Sequence, residues 1–120
     1  MAVPPAMVVN FSFNPPVISI AGPIKESTIA KLNDLLPHLT SNSVRGRRAP
    51  PSFVVNEAPT KHYILDMPTL VANEESQMAI MLAVLDCIED EGCWTMRDCH
   101  ATLYDYIEHH TLFFTMKSRI

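Results

Sequence analysis

Five side chains able to ligate a metal or attack a substrate crowd one stretch: Cys93, Cys99, His100, His109 and His110. Thiolates and imidazoles suit zinc, but structural zinc sites pair their ligands at short fixed spacings and no Cys-x-x-Cys pair is present. Cys93 is expected on a short strand, and Cys99 on the apolar side of a helix, where a free thiol acts as a small hydrophobe. A Cys–His nucleophile also needs an activating third group and an oxyanion hole, and no such motif can be identified. His109 and His110, at a predicted helix end, match its negative pole. Gly22, Gly46 and Gly92 are the only glycines, too few and too scattered to cradle a phosphate. No catalysis, metal or cofactor is expected.

The chain that must position these groups has 120 residues, within the range of one domain, residues 1–120. With 48% hydrophobic and 18% charged residues it holds enough apolar material for a core. A net charge of −4 opposes binding through phosphate neutralisation, so no nucleic acid is expected. An odd set of three cysteines argues against a secreted disulfide scaffold and suits a reducing, cytoplasmic compartment. The longest apolar run, Met78 to Leu85, is far too short to span a bilayer, and the N-terminus lacks the basic segment of a signal peptide, so no membrane insertion is expected.

Residues 7–13 and 17–21 read as strands separated by Asn14-Pro15-Pro16. Ile29, Leu32, Leu35, Leu36 and Leu39 follow helical spacing, and Pro37 kinks or ends that helix. Residues 40–52 read as an exposed loop, made basic by Arg45, Arg47 and Arg48. Residues 52–56 and 63–65 are further strands, the latter central in the sheet. Asn73 caps a helix whose first turn holds Glu74 and Glu75 and whose exit is Gly92. Met78, Met81 and Met96 read as core filler. A short strand at 93–96, a helix from Arg97 to His110 and an aromatic strand at 112–116 complete a predicted order ββαβαβαβ. Single-helix crossovers then imply a small α/β domain with a mixed, mostly parallel sheet and helices packed against it.

Residues 64–92, from Ile64-Leu65-Asp66 through Asn73-Glu74-Glu75-Ser76-Gln77 to Glu91-Gly92, resemble the STAS domain of anti-anti-sigma factors and sulfate-transporter C-terminal domains. Laid without gaps, Asp66 takes the family's strand-end aspartate, Gly92 its helix-end glycine, and Glu74 to Gln77 its Asp-Ser-Ser-Gly loop. The resemblance implies a STAS-like fold and a regulatory, partner-switching role. Ser76 is then the phosphorylation candidate, and Asp66, Asn73, Glu74, Glu75, Ser76 and Gln77 are the partner-binding residues. The implied partner is an anti-sigma factor or serine kinase, since phosphate at a helix start can be held by free N–H groups and still repel an acidic partner. Glu74 and Glu75 already crowd that loop with negative charge, as if permanently phosphorylated. The alternative implied by the same family is a cytosolic regulatory domain of an anion transporter, whose partner is the transporter's membrane domain. Read without the family, Ser76 is a first-turn residue bonded to backbone, and the two glutamates complement the helix dipole.

Overall fold

The computed structural model describes residues 5–13, 15–40, 51–58, 60–67, 70–104 and 106–117. In chain order these form β1 (Ala6–Ser12), β2 (Val17–Ala21), α1 (Glu26–Leu35), β3 (Val54–Asn56), β4 (His62–Asp66), α2 (Glu74–Glu91), β5 (Trp94–Tyr104) and β6 (Ile107–Met116). The period-two alternation of β1 and β2 buries Met7, Val9 and Phe11 on one strand and Ile18 and Ile20 on the other. α1 passes into a 3-10 turn over Leu36–Leu39, with Pro37 in its opening positions, where a missing N–H costs little. At the start of α2 the Asn73 side chain accepts the Ser76 N–H at 2.9 Å. Gly92 ends the helix in the left-handed region, at φ 76°.

The six strands form one sheet in the order β3-β4-β2-β1-β6-β5, and every neighbouring pair is antiparallel. The expected mixed, mostly parallel sheet is therefore overturned. Each helix does link two strands that run in the same direction, β2 to β3 and β4 to β5, as single-helix crossovers imply. Those strands are not neighbours, however: β4 lies between β2 and β3, and β2, β1 and β6 lie between β4 and β5. Hairpin partners fill the intervals, so the observed order is ββαββαββ. β4 lies next to the β3 edge rather than at the centre of the sheet.

The helix expected over Arg97 to His110 is instead most of a long hairpin. β5 and β6 pair from Trp94↔Met116 to Tyr104↔Ile107, with one irregularity between Met96 and Asp98. Pairing of β6 with β1 along its length, from Ala6↔Thr115 to Ser12↔His109, ties that hairpin into the sheet and overrides the helical spacing of its apolar residues. Residues 41–50, most of the basic loop, lie outside the described residues.

α1 and α2 pack side by side on one face of the sheet, over a core that includes Phe11, Ile18, Ile20, Leu65, Ile80 and Val84. Asn33 Oδ1 of α1 accepts the Phe53 N–H at 2.7 Å, which holds α1 toward the β3–β4 side. Among the described residues no helix is long and apolar enough to cross a membrane.

Candidate docking groove

Strands spaced about 4.8 Å apart make a six-stranded sheet some 25–30 Å wide, and a helix with its side chains covers about 10 Å. Two helices cannot cover all of it: Trp94 and Phe114 of the hairpin are still buried and Leu112 and Met116 half-buried against the core, and the part left bare is the β5 edge from Met96 to Leu103. On the helix-facing side, Val9, Phe11, Ile18, Ile20 and Leu65 of β1, β2 and β4 are wholly buried. On the same side of the hairpin, Cys99 and Ala101 are exposed and Leu103 is 71% exposed.

α2 carries a second apolar stripe beside its buried one. Its inner stripe, Ile80, Val84, Cys87 and Ile88, is buried in the core. Met78, Met81, Leu82 and Leu85, spaced i, i+3, i+4 and i+7, form a second stripe: Met81 and Leu85 are half-buried on the flank beside the core, Leu85 lining a hollow shared with the hairpin, and Met78 and Leu82 lie further round, away from the sheet. Met78 is 59% and Leu82 57% exposed, and Met96 on β5 is also exposed. The reading of Met78 and Met96 as core filler is thus corrected: their covering layer is missing.

A hollow opens at each end of the resulting groove. One, of about 400 Å³, is lined by Phe13, Gln77, Leu103, Tyr106, Ile107 and Glu108. Its floor is aromatic, with Phe13 meeting the His110 ring edge-on at 6.3 Å. The other, of about 340 Å³, lies between Leu85, Ile88 and Glu89 of α2 and Trp94, Met96 and Phe114 of the hairpin.

Tyr106, at the hairpin tip, has φ 64°, a conformation that costs a residue with a Cβ roughly 1–2 kcal/mol, and its side chain is 96% exposed. Two-residue hairpin connections favour glycine or asparagine here. An exposed tyrosine kept in a strained backbone beside a hollow is a feature that function explains better than folding does. Tyr106→Gly is expected to raise stability by about 0.5–1 kcal/mol, read by urea unfolding.

The residues singled out by sequence divide between the two faces. Asp66 ends β4 opposite Val17 and, alternating with buried Leu65, points to the open face of the sheet, away from the groove. Asn73 is the cap of α2, Glu74 and Glu75 are exposed in its first turn, and Ser76 is half-buried with its amide held by Asn73. Gln77 donates from Nε2 to the Ala72 carbonyl at 3.0 Å and is the one of the six that lines the first hollow.

Strand alternation splits the cysteines and histidines as well. Cys99, paired with Leu112, and His110, paired with Phe11, share the helix-facing side; His100, stacked on Phe113 at 5.9 Å, and His109 share the open face. Cys99 is exposed on β5 rather than packed on a helix, while burial pushes the Cys87 thiol up and keeps it an uncharged part of the core. Among the described residues no three His, Cys, Asp or Glu side chains are placed to hold a metal. The open face also dips, into a hollow of about 440 Å³ lined by Asn10, Thr102, Leu103, His109 and Thr111.

Glu91 is the residue whose role was least visible beforehand. Its carboxylate accepts the Lys25 N–H at 3.1 Å, the Thr28 hydroxyl at 2.6 Å and the Trp94 indole N–H at 3.0 Å. One side chain thereby joins α1, the end of α2 and the start of β5. The signal was an absent local cap: Lys25 stands at the N-cap of α1 and supplies no side-chain acceptor.

No family model and no curated protein matches the chain. Among solved structures, the fold is similar to the crystal structure of a conserved kinetoplastid-specific protein from Trypanosoma cruzi, with a TM-score of 0.78. The two are 23% identical over 97% of this chain and 100% of that one, a likeness of fold.

Proposed function

We propose that the chain is a non-catalytic protein-interaction domain, working in the cytoplasm, that receives a protein partner in the groove between α2 and the β5–β6 hairpin. The observation that carries this reading is the apolar surface that runs from exposed Met78 and Leu82 on α2, over half-buried Met81 and Leu85, to exposed Met96 and Leu103 on β5. Contiguous exposed apolar surface of this kind marks binding sites on soluble domains. Three free thiols suit the cytoplasm.

The docking surface begins at the helix start where the STAS resemblance put it, at Gln77, but runs along α2 toward the hairpin rather than toward Asp66. The phosphate switch at Ser76 is not carried forward. It came from a resemblance whose implied sheet is absent, and a phosphate there would compete with Asn73 for the first-turn N–H groups.

Leu82→Asp with Leu103→Asp is the test, because both side chains are more than half exposed and their loss leaves the core intact. In extracts of the cell that makes the protein, size-exclusion chromatography is expected to show the wild type in a complex well above 13.4 kDa and the double variant at monomer size. A wild type that already elutes as a monomer, or a variant that stays in the complex, would overturn the reading.

A further inference from the structure

We infer that the occupant of the groove is an amphipathic helix of about three to four turns with basic residues along its polar face. This rests on the docking reading and adds the chemistry of the partner.

Shape is the first argument. The groove lies on the same face of the sheet as α1 and α2, beside α2, and ends at the exposed edge strand β5. From Gln77 to Glu89, α2 flanks it for about 18 Å at 1.5 Å per residue, the length of a partner helix of roughly 12–14 residues. The hollows at Gln77 and Leu85 lie about 12 Å apart along α2, close to the i to i+7 separation of about 10.5 Å on one face of such a helix.

Charge is the second. α2 carries six carboxylates, Glu74, Glu75, Asp86, Glu89, Asp90 and Glu91, and no Lys or Arg. At 3.6 residues per turn, Glu75, Asp86 and Glu89 border the Met78–Leu82 stripe, and Glu108 stands on the hairpin wall of the first hollow. Among the described residues, Lys117, at the far hollow, is the one cation lining either end. An apolar surface rimmed by carboxylates selects an apolar stripe flanked by Lys or Arg. A second copy of this chain fits poorly, because a two-fold interface would set the acidic rim against itself on a protein of net charge −4. Anionic lipid is opposed by the same sign.

The experiment uses a fluorescein-labelled synthetic peptide of about 14 residues with Leu at i, i+3, i+4 and i+7 repeats and Lys elsewhere, and its twin with Glu in place of Lys. Fluorescence anisotropy is read with wild type, with Leu82→Gln/Leu103→Gln, and with Glu75→Gln/Glu89→Gln/Glu108→Gln, each checked by circular-dichroism melting. The Lys peptide is expected to bind at least about tenfold more tightly than the Glu peptide and to lose about tenfold in each variant. Equal binding of both peptides, lost in Leu82→Gln/Leu103→Gln, would overturn the basic partner while leaving the groove in place. The same holds if neither peptide binds and sedimentation shows self-association that this variant abolishes. Lys-peptide binding unchanged in Leu82→Gln/Leu103→Gln, or no binding by a monomeric chain, would overturn both readings.

Discussion

Gly22→Ala is expected to cost about 4 kcal/mol, a large share of the 5–15 kcal/mol that stabilises a typical domain. Gly22 sits just after β2 at φ 137°, a region that side chains rarely enter, and strain of that kind costs of order 1–3 kcal/mol. A Cβ there would lie 2.8 Å from the Ala6 carbonyl oxygen and 2.8 Å from Met7 Cα, both backbone atoms of the neighbouring strand. Relief requires β1 and β2 to separate where their pairing begins, at Val8↔Ala21, and overpacking of this sort adds roughly 1–3 kcal/mol. Gly92→Ala is the control. Its φ of 76° is also left-handed, yet nothing lies within 4 Å of an added Cβ, so about 1 kcal/mol is expected. Thermal melts should separate the two by ten degrees or more, at about 4 °C per kcal/mol.

Glu91→Ala is expected to cost about 3 kcal/mol. Hydrogen bonds to a charged acceptor contribute about 1.5–3 kcal/mol each, but these three share one carboxylate and are not additive. The larger loss is what remains behind. Thr28 and Trp94 are buried, so a hydroxyl and an indole N–H lose their partner in places water enters poorly. α1 also loses the acceptor and the negative charge at its N-terminus. Glu91→Gln, which retains an acceptor oxygen but not the charge, should lose less. Urea unfolding of the two variants gives the comparison, and equal stability of Glu91→Ala and wild type would remove this carboxylate from the account.

The elements legible in the sequence are those whose local signals agree with their burial. β1, β2 and α2 alternate or repeat as their buried sides require, and the Asn73 cap and Gly92 exit bound α2 within a residue. The β5–β6 hairpin was missed for a physical reason. Cys99, Leu103, Tyr106 and Ile107 fit a helical face, while Cys99, Ala101 and Leu103 alternate as well. A strand exposed on both sides lacks the burial pattern that would decide between them. Losing the hairpin also hid most of the groove, since Leu103, Tyr106, Ile107 and Glu108 sit on it. One clue was available: Met78, Ile80, Met81, Leu82, Val84, Leu85 and Ile88 are more apolar residues than one buried face of a helix needs.

Sheet polarity was lost differently. The crossover rule gives the direction of the joined strands but not their adjacency, which hairpins interposed here. Glu91, acting 63 and 66 residues away on Thr28 and Lys25, leaves a sequence trace only as an uncapped helix start.

Site-specific photo-crosslinking tests most directly whether the apolar surface between α2 and the β5 edge is where a partner sits. A photo-reactive side chain is placed singly at Leu82, at Leu103, at Asp34 on α1 and at Ser19 on the open face, and cross-linking is carried out in extracts of the cell that makes the protein. The account predicts one adduct of the same mass from positions 82 and 103 and none from 34 or 19. Equal capture from all four positions, or capture from 19 or 34 alone, would contradict it.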